Sequence, residues 1–81
     1  MELGDFNRAT NPQRAALVWQ RGTFLADRVS GGCTLCLYHM GPFFAEIWYR
    51  VVDNEIQGVR GFKSVTCLEP YWNLVDISDI T

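Results

Sequence analysis

The sequence predicts an α+β fold: an N-terminal helix, a four-stranded antiparallel meander and a short C-terminal helix, in a single domain over residues 1–81. Three observations predict it. One run of helix formers is bracketed by a capping sequence and a glycine. Four runs rich in β-branched and aromatic residues follow, joined by links of two or three turn-forming residues. A Thr-x-x-Glu sequence then introduces a last helical stretch.

The first helix lies in "TNPQRAALVWQRG", residues 10–22. Thr10 or Asn11 suits the N-cap, Pro12 the first turn, and Gln13 is spaced to reach back to Thr10. Ala15, Ala16, Leu17, Val18 and Trp19 supply helix formers and an apolar stripe. Gly22 stands where a C′ glycine ends a helix. Trp19 closes the stripe and is expected to anchor the helix in the core.

The strands are expected at 23–29, 33–39, 43–52 and 55–63, with turns at Ser30-Gly31-Gly32, Met40-Gly41-Pro42 and Asp53-Asn54. Links this short join antiparallel neighbours. Asp53-Asn54 tolerates the positive φ of a two-residue hairpin turn. The C-terminal helix is expected in "TCLEPYWNL" (66–74). It starts either with Thr66 and Glu69 as a capping pair or with Glu69 as N-cap and Pro70 at the first helical position. The tail "VDISDIT" (75–81) reads as extended.

Turn lengths fix register, and register fixes faces. Loops of three, three and two residues align Leu25, Leu37, Ala45 and Phe62 in one row, with Asp27, Leu35, Ile47 and Arg60 in the next and Val29, Cys33, Tyr49 and Gly58 beyond. This face is mostly apolar and is assigned to the core beneath both helices. The opposite face then carries Phe24, Tyr38, Phe44 and Lys63, followed by Ala26, Cys36, Glu46 and Gly61, and by Arg28, Thr34, Trp48 and Val59. A sheet covered on one side should be polar there. The contiguous patch of Phe24, Tyr38, Phe44, Glu46, Trp48 and Val59 therefore reads as a contact surface.

"CTLCLYH" (33–39) raises the question of metal or redox chemistry. Residues three apart on a strand point to opposite faces, so Cys33 and Cys36 cannot share one tetrahedral zinc ion. No helix N-terminus follows to acidify a thiol. Both cysteines read as small apolar fillers, His39 falls near a turn, and no metal or other cofactor is expected. A lone histidine supports no Ser-His-Asp arrangement, and phosphate-binding glycine motifs are missing. Glu46, between Ala45, Ile47 and Trp48, is the most unusual carboxylate. It could act as an acid or base if partly buried, but an ion pair with Arg28, Arg50 or Lys63 is the simpler reading. Asp27 and Arg60, on the core face, are expected to pair with residues such as Gln13 or Arg14 or to reach the rim.

The apolar share is 48% and the aromatic share 14%. A chain this short buries only about 60–65% of its extended surface, so part of that load is left for a partner. The net charge is -2 and the basic residues stand singly, which disfavours nucleic acid. No signal-peptide pattern and no membrane-spanning apolar run is present. Three cysteines, an odd number, fit reduced thiols and a cytoplasmic location.

Three segments carry a family resemblance: "LVWQRGTFLADR", "FFAEIWYRVVDNEIQGVRGFKS" and "CLEPYWNLVDISDI". They resemble a group of small bacterial proteins, some borne on integron-type mobile gene cassettes, over about residues 5–80. The shared features are a Trp-x-x-Gly helix end, a Phe/Tyr-rich strand, an Asn-Glu-Ile hairpin and a Leu-Glu-Pro-Tyr helix start. The resemblance implies a compact α+β oligomer and brings no catalytic residues with it. The functional expectation is a non-enzymatic, self-associating binding module, a dimer or dimer of dimers, that recognises another protein or a small molecule. The alternative is a small-molecule binder or enzyme with an apolar pocket between the helix and a curved sheet, lined by Trp19, Tyr49 and Phe62.

Overall fold

Thr10 opens the main helix. In the computed structural model, which describes residues 1–71, its hydroxyl accepts from the Gln13 backbone N–H, and the Gln13 side chain accepts from the Thr10 N–H. This reciprocal box satisfies two of the donors that a helix start leaves open. The resulting helix α2 spans Asn11–Arg21, with Pro12 in its first turn. A shorter helix, α1 (Leu3–Asn7), precedes it and was not expected from the pattern. Five residues carry too little periodicity to announce a helix. Tertiary packing sustains it, because Phe6 is wholly buried.

Gly22 ends α2 in an extended conformation, not in the left-handed one of a C′ glycine. Its need for glycine is steric. A Cβ there would lie 2.7 Å from the Val18 carbonyl oxygen and 2.9 Å from the Met40 sulfur. The missing side chain lets the end of α2 close onto the end of the second strand.

The strands are β1 (Thr23–Ser30), β2 (Cys33–His39), β3 (Phe44–Arg50) and β4 (Ile56–Phe62), antiparallel and in sequence order. The expected α+β meander is therefore formed, but none of its turns has the expected length. Gly31 and Gly32 alone turn β1 into β2, both at positive φ, as a type I′ hairpin requires. The β2–β3 link is four residues, Met40–Phe43, closed by the Met40 N–H donating to the Phe43 carbonyl at 2.9 Å. The β3–β4 hairpin closes through the Arg50 N–H and the Glu55 carbonyl, with Asn54 at φ 61°.

These lengths shift the register. Leu37 pairs with Glu46 instead of Ala45, and Phe44 pairs with Phe62. A bulge at Leu25 also moves β1 by one residue between Phe24 and Ala26. A slip of one residue turns a strand over. The physical reason lies at Phe43. Expected in β3, it packs instead against Phe6 in the core, ring centroids 5.2 Å apart, so the loop takes up one more residue.

The sheet is consequently covered on both faces, not by two helices on one. On the first face α1 and α2 pack Phe6, Ala15 and Val18 onto Ala45, Ile47 and Val59. On the second, a 3-10 helix (Val65–Tyr71) lays Leu68 and Tyr71 on Ala26, Leu37 and Phe62. That helix uses neither expected start: it begins at Val65, the Ser64 hydroxyl accepts from the Thr66 N–H, and Pro70 lies inside it. The expected continuation through residues 72–74 and the extended tail 75–81 lie outside the described residues.

Arg14 ties the N-terminal half together. Its guanidinium donates to the carbonyls of Phe6 (3.2 Å), Asn7 (2.6 Å) and Val59 (2.9 Å). One side chain thus links α1, α2 and the outer strand β4.

Candidate functional site

The expected contact patch is not assembled on one face. Phe44, Glu46 and Trp48 point to the 3-10 helix side, whereas Tyr38 and Val59 belong to the α1/α2 side. Glu46 is only 1% exposed and Val59 lies under the helices. The register slip accounts for the split, since it inverted β3 against β2.

A different surface takes shape. The helices cover the β3–β4 half of the first face, where Ala45, Ile47 and Val59 are buried. On the β1–β2 half Asp27 is exposed, Thr34, Cys36 and Tyr38 are half-buried, and Phe24 and Val29 are 54% and 73% exposed. Phe24 packs edge-on against Tyr38 at 5.7 Å, a favourable aromatic geometry. At the border of this half stands Trp19. It is 57% exposed, so it is not the core anchor expected of it. Its indole N–H donates to the Tyr49 hydroxyl at 3.3 Å. Phe24, Tyr38, Tyr49 and Trp19 thus edge a partly open aromatic surface.

Charge and burial tune this surface. Burial pushes the Cys36 thiol above its ordinary pKa, and Asp27 adds to the effect. The thiol therefore stays protonated at neutral pH and is a poor nucleophile. Burial also raises the Tyr38 hydroxyl, with further contributions from Tyr49 and Cys36.

On its other side Trp19 walls a groove of about 370 Å³, lined by Asn11, Pro12, Ala15, Trp19 and Ile56. Of the three residues expected to line a pocket, only Trp19 does so; Tyr49 accepts from its indole N–H but is not part of the lining. Phe62 does not: it lies on the opposite face, beneath the 3-10 helix. The reason is again register, because Phe62 pairs with Phe44 rather than with Ala45. Sequence reading passed over Asn11, Pro12, Ala15 and Ile56. A signal existed for the helical ones. Pro12, Ala15 and Trp19 recur at helical spacing, and a small alanine between two larger residues leaves a notch.

Glu46 forms a closed polar cluster. Tyr71 donates its hydroxyl to one carboxylate oxygen at 2.6 Å. Arg60 donates to the other through Nε at 2.7 Å and Nη2 at 2.6 Å. The expected partners Arg28, Arg50 and Lys63 are replaced by Arg60, which sits across the ladder on the same face. Of the two expectations for Arg60 and Asp27, pairing with Gln13 or Arg14 is not formed, whereas both residues are exposed, as the rim alternative has it, with Arg60 bound to Glu46. The Arg60 guanidinium also stacks over Trp48 and Phe62, at 5.4 and 5.1 Å. Arg28 lies over the Tyr71 ring at 5.2 Å, and its Nε has no hydrogen-bond partner among the described residues. Both Glu46 oxygens are occupied and sealed from solvent, an arrangement that holds structure together.

Cys33 and Cys36 point to opposite faces, and all three cysteines are free thiols. Among the described residues no group of three or more His, Cys, Asp or Glu side chains is placed to hold a metal ion. No helix among them is long and apolar enough to cross a membrane. No protein-family model, curated protein or solved structure matches the chain.

Proposed function

We propose that this chain is a non-enzymatic binding module that self-associates through the open β1–β2 half of its sheet. The supporting observation is the exposure of Phe24 and Val29 on a half-face that α1 and α2 leave partly open. The occupant is a second copy, and charge placement favours it. Arg21 precedes β1 and Asp27 lies within it, with Phe24 midway between them in sequence. Neither is ion-paired among the described residues. A twofold axis near Phe24 sets Asp27 of each copy against Arg21 of the other, and twofold pairing is the commonest closed symmetry. Light scattering tests this. The wild type should be a dimer at about 100 µM, and Phe24→Glu a folded monomer. Asp27→Arg should weaken the dimer, and adding Arg21→Asp should restore it. A monomeric wild type, or a Phe24→Glu variant of unchanged mass, overturns the reading.

A second reading, binding of a small molecule, is favoured by the Trp19 groove. Its volume falls within the range of about 300–1,000 Å³ usual for such sites.

A further inference from the structure

We propose that the Trp19 groove binds an uncharged aromatic ring of one-ring to two-ring size. This rests on the small-molecule reading and adds the chemical class of the ligand.

Asn11, Pro12, Ala15, Trp19 and Ile56 include no ionisable side chain. Two basic groups of the flanking elements are committed elsewhere. Arg14, on α2, donates to three backbone carbonyls. Arg50, across the hairpin from Glu55, is bound to Asp53 and Glu55. Arg21, the other basic residue of α2, follows Trp19 by two positions and so lies about 200° round the helix from it, away from the lining face. Among the described residues an anion would therefore meet no free side-chain cation on that face.

The two ends of the groove also oppose each other. Asn11 and Pro12 form the first turn of α2, where the helix dipole presents positive charge and disfavours a cation. The Trp19 ring face carries the negative lobe of its quadrupole and disfavours an anion. Either charge sign gains at one wall and loses at the other, whereas a neutral ring is indifferent to both.

The shape agrees. The Trp19 N–H is committed to Tyr49, so what the indole offers the groove is its apolar ring. Pro12 and Ile56 complete an apolar slot, with Ala15 beside them. The Asn11 side-chain amide makes no hydrogen bond among the described residues, and it can both donate and accept. It suits a neutral amide or hydroxyl on the ring. A groove near the lower end of the usual volume range holds a ring system rather than a large ligand.

Three probes of nearly equal shape test the proposal on the full chain: benzamide (neutral), benzoate (anion) and benzamidine (cation), titrated at pH 7 and followed by amide and indole NMR shifts. Benzamide should move the signals of Asn11, Ala15, Trp19 and Ile56, with a Kd at least about fivefold below those of the charged probes. Trp19→Ala should weaken benzamide by about fivefold or more; the residue is half-exposed, so the fold survives its loss. Asn11→Asp keeps the shape, adds a carboxylate tolerated at a helix start, and should turn the preference toward benzamidine by about fivefold. Equal binding of all three probes would overturn the ligand class while leaving the site. No groove shifts with any probe at about 10 mM would overturn the site and the small-molecule reading together. Benzamide affinity unchanged in Trp19→Ala would also refute the proposal. Should that variant not fold, the Asn11→Asp preference decides.

Discussion

Removing the Tyr71 hydroxyl should destabilise this fold more than its size suggests. Tyr71→Phe deletes one oxygen from a fully buried ring and leaves the apolar packing on Ala26, Leu37 and Phe62 in place. What it takes away is the 2.6 Å donor to a Glu46 oxygen in a side chain only 1% exposed. A hydrogen bond to a charged group contributes about 1.5–3 kcal/mol, and the partner left behind stays desolvated. The expected loss is therefore about 2 kcal/mol, a large part of the stability of a small domain. Urea unfolding measures it, and a cycle with Glu46→Gln should show coupling of at least about 0.5 kcal/mol. The pH dependence supplies a second signature. Burial first, then the hydrogen bond and charge of Glu46, raise the Tyr71 pKa above its ordinary value near 10, against a smaller opposing pull from Arg28. The folded state thus holds the phenol proton more tightly than the unfolded state. The contribution is complete below about pH 10 and fades as the pH rises further, at up to about 1.4 kcal/mol per pH unit. The stability gap between wild type and Tyr71→Phe should narrow accordingly above pH 10. A gap below about 0.5 kcal/mol at pH 7, or one that widens in alkali, would show that the Tyr71–Glu46 bond does not stabilise the fold in this way.

Two further outcomes follow from the packing. Gly61→Ala places a Cβ 2.5 Å from Leu3 Cδ1 and 3.0 Å from Phe6 Cδ2; thermal unfolding should show a loss of about 1–3 kcal/mol as α1 is pushed off β4. Protein purified without chelator should carry less than about 0.2 equivalents of zinc, where a structural site would hold about one, because Cys33 and Cys36 face opposite ways. Stoichiometric zinc lost in Cys36→Ser would contradict that geometry.

Local chemistry was legible in the residues themselves. Thr10 and Gln13 announce the α2 start because a capping box closes within four residues. Four β-rich runs with short links leave an antiparallel meander as the natural topology. The opposed cysteines follow from the two-residue period of any strand. Trp19 and Glu46 stood out by type and neighbours, but their surroundings did not. Apolar character alone cannot tell a helix face turned to the core from one lining a groove.

The local sequence therefore determined which segments are helix or strand, their order, and the face-to-face alternation within each strand, since these depend on contacts a few residues apart. Which face of one strand meets which face of the next was decided only in the folded molecule. It turns on loop length by single residues, and the β2–β3 loop length depends on Phe43 packing against Phe6, 37 positions away. The same holds for the Glu46 partner Tyr71 and for the half of the sheet that α1 and α2 leave partly open. Both exist because α1 and the 3-10 helix settle on opposite faces, a choice made by burial of Phe6, Leu68 and Tyr71 that no short stretch of the chain encodes.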